Sequence, residues 1–298
     1  MNGADRSYVD LSNGLEEVPI MILQDRQPLP KFQYCADNVQ GAGCAVDPSE
    51  VNLPGCTCQS HSCCGDTCSC LKVHGPAYNR DGSLINISKT DAAYCDPVFE
   101  CNAVCTCGDA CSNRVVQRGV RLKLEVFSTG TRGWGVRTLQ PITRGMFVCE
   151  YAGEVIGFDE ARRRQLAQTP EDNNYIIAVR EHSGTGSITE TFVDPGMVGN
   201  VGRFLNHSCL PNLFMLPVRV HSVIPRLALF AGRDIDAKEE LMFDYSGGYR
   251  NQPSCEPQSA QRGGDIQASR TPAPQRKACR CGANNCAQFL PLDLSIIN

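Results

Sequence analysis

The sequence contains no run of about eighteen consecutive apolar residues, so no segment reads as a membrane-spanning helix. Its first residues include Asp5, Arg6, Asp10, Glu16 and Glu17 and lack the apolar core of a secretory signal. An excess of positive charge is also missing: 28 Lys and Arg against 32 Asp and Glu leave a formal charge of -4. That balance disfavours phosphate backbones and favours basic peptides, so direct DNA binding is not expected. Histidine is scarce, with 5 in the chain, and C-x2-C pairs do not organise the cysteines. Both absences argue against RING-like or redox modules.

Cysteine itself is abundant, at 19 in 298 residues. A disulfide framework does not suit a chain without an export signal, whereas dense C-x-C spacing suits thiolate metal sites. The N-x-S sequons at Asn86 and Asn206 then carry no glycosylation message. One group runs Cys56-x-Cys58-x4-Cys63-x4-Cys68-x-Cys70 and resumes, after an insertion, as Cys101-x3-Cys105-x-Cys107-x3-Cys111. Tetrahedral sites need four sulfurs each. Nine sulfurs therefore close two separate sites with one left over, or three sites if three sulfurs each bridge two metals. A second group, Cys279-x-Cys281-x4-Cys286, lacks a fourth ligand, and Cys209 is the natural candidate. Cys35, Cys44, Cys64, Cys95, Cys149 and Cys255 stay unassigned, with free thiols as the default.

Residues 1–30 are polar, with Pro28 and Pro30 near their end, and read as a flexible or loosely packed tail. Val18 to Leu23 offers an edge strand weakened by Pro19. Leu71 to Phe99 reads as a loop excursion with a turn at Asn79-Arg-Asp-Gly82. Period-two or apolar runs predict strands at Leu122–Phe127, Phe147–Ile156, Tyr175–Val179, Thr191–Val193, Leu213–Val220 and Leu227–Ala231. Phe158–Gln168 is the one good helix, with Arg162, Arg163 and Arg164 as its solvated face. Short strands, Gly and Pro turns and one helix give a mostly β (α+β) fold of small sheets. Ser246 to Ala278 is rich in Gly, Ser, Pro, Gln and Arg and reads as a mobile linker.

Arg203-Phe-Leu-Asn206-His207-Ser-Cys209 packs a charge, an amide, an imidazole and a thiol into an apolar neighbourhood, and Phe243-Asp244-Tyr245 follows some forty residues later. With Gly133-Trp134-Gly135, Tyr151-Ala-Gly-Glu154 and the closing cysteines, this pattern resembles the SET-domain protein lysine methyltransferases over about Pro54 to Pro291.

The resemblance implies a SET fold with a threaded C-terminal segment that brings Asn206-His207 beside Tyr245. It implies an N-terminal tail over 1–30, a pre-SET module over 31–117 (cysteine core 54–117) and a SET domain over 118–245. A linker over 246–274 and a post-SET module over 275–291 would follow. It implies S-adenosylmethionine as methyl donor, three zinc ions on the first nine cysteines and one on Cys209, Cys279, Cys281 and Cys286. Tyr245 becomes the principal catalytic hydroxyl, with Tyr175 and Phe243 lining the lysine channel. Gly133, Trp134, Gly135, Tyr175, Arg203, Asn206 and His207 would form the cofactor pocket.

The substrate it implies is a lysine of histone H3 in the nucleus, on the chromosome. Lysine 36 is favoured and at least dimethylated, with lysine 4 or lysine 9 as alternatives. The reading from a different class is a catalytically inactive zinc-scaffolded reader or adaptor of histone tails. Intact Tyr245, Tyr175 and Asn206 argue against it.

Overall fold

A computed structural model describes residues 8–23, 28–59, 62–63, 68–72, 75–85, 98–169, 171–182, 186, 188–247, 277–291 and 295–297. In chain order the first elements are β1 (Tyr8–Asp10), β2 (Met21–Leu23), β3 (Gln33–Tyr34), β4 (Val39–Gln40), a single turn α1 (Ser69–Lys72) and β5 (Val98–Phe99). Then come β6 (Leu124–Ser128), β7 (Trp134–Thr138), β8 (Phe147–Glu150), β9 (Gly153–Ile156) and α2 (Phe158–Leu166). The rest is β10 (Ile177–His182), β11 (Ile188–Gly199), β12 (Asn206–His207), β13 (Leu213–Arg219), β14 (Arg226–Ala231) and β15 (Glu240–Phe243).

Among the described residues the strands form three small sheets, ordered β1-β2-β6-β7-β15-β12, β10-β11-β9-β4 with β3 alongside β11, and β5-β13-β14-β8. The expected mostly β fold is thus observed. The main core lies where the sheets meet and includes Leu124, Val126, Val136, Val148, Leu229 and Leu241. Burying such side chains stabilises by roughly 1.5–3 kcal/mol each.

Several expectations are corrected. The described part of the supposed N-terminal tail is built into the first sheet: β2 lies between β1 and β6, with Ile20 and Ile22 in the main core. Pro19 precedes β2, so it removes no ladder hydrogen bond there. The run Phe147–Ile156 is two strands in different sheets, because the chain breaks at Tyr151-Ala152 and both halves are buried. Such a break is invisible to a pattern of continuous apolar residues. Arg164 does not belong to a solvated face. It pairs with Glu154, Glu160 and Asp194 at 2.7–2.9 Å and ties α2 to β9 and β11. Arg162 and Arg163 are exposed as expected.

The turn at Asn79–Gly82 is present, closed by Gly82 N–H donating to the Asn79 carbonyl. Cys64, Cys95, Cys255 and nearly all of the 246–274 linker lie outside the described residues.

Candidate active site

Gly133-Trp134-Gly135 lies at the turn between β6 and β7, where Ser128 pairs with Trp134. Gly133 has φ +73°, a left-handed value that costs a residue with a Cβ. A Cβ on Gly135 would come within 2.8–3.1 Å of Thr129, Glu240 and Asn206. The motif is therefore a hairpin turn in which Gly135 has no room for a side chain. Asn206 fixes the loop from β12, its amide donating to the Trp134 carbonyl and to Glu240 Oε1, each at 3.0 Å. Glu240 in turn accepts from Arg132 at 2.6 Å. Sequence reasoning missed Glu240. It is a carboxylate in an otherwise apolar strand start, and that was the available signal.

The parallel pairing of β12 with β15 decides the geometry. It sets Asn206 opposite Met242 and His207 opposite Phe243. The Tyr245 backbone N–H donates to His207 Nδ1 at 3.3 Å, which leaves the proton of the neutral ring on Nε2, 3.4 Å from Cys209 Sγ. Burial lowers the His207 pKa, while Asp244 at 3.7 Å pulls it the other way. The Tyr245 hydroxyl donates to the Leu205 carbonyl at 2.7 Å. The residue is 37% exposed, yet burial, with Tyr175 adding to it, raises its phenol pKa. The hydroxyl therefore stays protonated.

Phe243 is buried between Tyr151 and Tyr245, with ring centroids 5.9 and 4.9 Å away. Tyr151, part of the Tyr-Ala-Gly-Glu motif but not assigned a role from it, donates to the Tyr175 carbonyl at 2.6 Å. Arg203 stacks 4.7 Å over the Tyr175 ring. Its short 3-10 turn, Val201–Phe204, is capped by the Asn200 side chain. A bulge in β11 between Asp194 and Gly199 frees the Pro195 and Gly196 carbonyls to accept from the Arg203 guanidinium at 3.0 and 3.2 Å.

Two buried donors here have no partner, Trp134 Nε1 and Arg203 Nη1. Orphaned N–H groups of this kind fit a ligand that brings a carboxylate and further acceptors, as S-adenosylmethionine does.

The thiols fall into sets whose sulfurs lie within 4.8 Å of one another: Cys56, Cys58, Cys63 and Cys68; Cys63, Cys101, Cys107 and Cys111; Cys209, Cys279, Cys281 and Cys286. Cys56 and Cys101 belong to sets with Cys70 and with Cys105, and Cys70 lies 3.7 Å from Cys105. Those four are thus mutually close as well. The first nine thiols can therefore be grouped into three tetrads with Cys56, Cys63 and Cys101 each shared by two, and the sets Cys56, Cys68, Cys70, Cys101 and Cys56, Cys101, Cys105, Cys107 are equally close. Backbone N–H groups donate to the sulfurs of Cys105 and Cys111 at 3.1–3.3 Å, which favours thiolates.

A Pre-SET family profile matches residues 12–114 and a SET domain profile matches residues 133–246. The chain is 50% identical over 289 residues to the mouse histone-lysine N-methyltransferase SETMAR, covering 96% of this chain and 90% of that protein. It belongs to the SET-domain histone-lysine N-methyltransferases. The crystal structure of the human SETMAR methyltransferase domain superposes with a TM-score of 0.80 at 46% identity, over 95% of this chain and 98% of that one. KRYPTONITE, solved with mCHH DNA, an H3(1-15) peptide and SAH, gives 0.69 at 30% identity over 97% and 55%. In this SET enzyme the reaction is methyl transfer from S-adenosylmethionine to a protein lysine, an in-line displacement that asks the protein for alignment, water exclusion and a neutral amine. When bound, the cofactor supplies the electrophilic methyl group.

Proposed function

We propose that this chain methylates a lysine of histone H3, with lysine 36 favoured over lysine 4 and lysine 9, to at least the dimethyl state, on chromatin in the nucleus. The observation that carries the reading is the β12–β15 pairing, which gathers Asn206, His207, Phe243 and Tyr245 beside the Gly133–Gly135 turn. The histone H3 peptide held by KRYPTONITE supports the substrate class. Lysine 36 is what the resemblance of the whole sequence implies.

The protonated Tyr245 hydroxyl and the Tyr175 segment would orient the incoming amine. Phe243 and Tyr245 would wall a narrow channel that suits an alkylammonium. Trp134, Arg203, Asn206 and His207, with the Gly133 and Gly135 backbone, would hold S-adenosylmethionine. Three zinc ions on the nine clustered thiols and a fourth on Cys209, Cys279, Cys281 and Cys286 would complete the molecule. Mass spectrometry of recombinant nucleosomes after incubation with the enzyme and S-adenosylmethionine reports site and degree together. Di- or trimethylation at lysine 36 of H3 is expected, and modification confined to another lysine refutes the site.

A further inference from the structure

The cysteine segment that meets Cys209 and Thr131 has almost no apolar anchorage of its own. No residue from Lys277 to Pro291 is buried. The next apolar anchor along the described chain is Ile296, which is 1% exposed and packs with Ile156, Ala161, Ile176 and Phe192. Those residues come from β9, α2, the residue that enters β10, and β11, so the isoleucine fills the groove between the helix and its sheet. Beside it, Ser295 Oγ is hydrogen bonded to the Arg180 guanidinium.

The groove is not remote from chemistry. Ile176 directly follows Tyr175, whose carbonyl receives the Tyr151 hydroxyl. The same short stretch is gripped at its other end, where Lys277 Nζ donates to the Asp172 carbonyl and reaches Asn173 Oδ1 at 3.4 Å. Residues on both sides of the Cys279–Cys286 segment therefore hold the stretch 172–176, one by charge and hydrogen bonding and one by burial.

We propose that Ile296 is a positioning residue for methyl transfer. Its seating in the α2–sheet groove fixes the Cys279–Cys286 segment over the cofactor side and fixes the Tyr175 backbone beneath it. Loss of the anchor leaves that segment tethered by Cys209, Lys277 and polar contacts such as Asn285 Nδ2 to the Cys209 carbonyl at 3.0 Å. The exposed polar contacts among these open readily, which leaves the Cys209 thiol group as the remaining point of attachment.

The test compares Ile296→Asp and Ile296→Val in the full chain. Ile296→Asp is expected to raise KM for S-adenosylmethionine at least about tenfold, a loss of roughly 1.4 kcal/mol. It should also speed amide hydrogen exchange in residues 277–291 and 172–178 without changing exchange in β13 and β14. Ile296→Val keeps most of the buried volume and should restore both readouts. If the aspartate variant does not fold, Ile296→Ala is measured the same way. Unchanged KM with unchanged exchange overturns the proposal. So does a valine variant as impaired as the aspartate, or a variant that only melts earlier with KM intact, because a merely structural role predicts that last result. The exchange readout needs no turnover, so it separates failure of this anchor from failure of the catalytic reading.

Discussion

Phe243 is 2% exposed and sits edge-on to Tyr151 and within 4.9 Å of the Tyr245 ring. A phenylalanine at this point leaves apolar room where a tyrosine hydroxyl would hold a water. If Phe243 lines the lysine channel as proposed, that room would accept a second or third methyl group on the amine. Phe243→Tyr is therefore expected to shift products toward monomethyl-lysine with the first transfer largely preserved. Product distributions of the two proteins, compared at equal extents of first methylation, check it, and identical distributions count against the account. Much at this scale was readable in advance. Asn206, His207, Phe243 and Tyr245 drew attention because a dense polar run in an apolar setting needs a reason. Glu240 and Tyr151 were not assigned roles: a carboxylate opening an apolar strand is a faint signal, and Tyr151, in the break between β8 and β9, acquires its partner only from the distant Tyr175 carbonyl.

At the scale of elements, β8 carries Glu150, whose carboxyl is pushed up to about 7 by burial, against the pull of Arg226 at 3.2 Å. Its Oε1 has no hydrogen-bond partner, as suits a group that prefers to be neutral. The sign follows from linkage: the folded state binds this proton more tightly than the unfolded state, whose carboxyl titrates near 4.5. The stabilising contribution is full below about 4.5 and lost as pH rises through about 7, by up to ~3 kcal/mol. Urea unfolding at pH 5.5 and 8.0 should show wild-type stability falling relative to Glu150→Gln. Equal pH dependence in both proteins would remove Glu150 from the explanation.

The Cys279–Cys286 segment has no buried residue, so Cys281→Ser should leave the SET sheets folded while methylation drops by roughly tenfold or more. Circular dichroism and turnover on the same sample decide this, and global unfolding or unchanged turnover would each contradict it. The strands of β6, β13 and β14 and helix α2 were legible because their patterns are local. The break between β8 and β9, the inclusion of β2 and the inward turn of Arg164 were not, because each depends on a partner distant in sequence.

At the scale of the whole molecule, the cysteine core has, among the described residues, no buried apolar member but Leu71 beside its thiols. On the proposed reading, zinc would supply there what a hydrophobic core supplies elsewhere. Four zinc ions per chain are expected by elemental analysis of folded protein, and two or fewer would refute the three shared tetrads. The existence of two thiol groups was plain from spacing, while the sharing by Cys56, Cys63 and Cys101 required coordinates. The β12–β15 ladder joins residues about thirty-six positions apart to a turn seventy residues earlier and to thiols forty residues later. On a ribosome adding some 5–20 residues each second, no fragment that stops before Tyr245 contains even a crude version of the pocket. Premature termination upstream of that point thus releases pieces that lack the pocket.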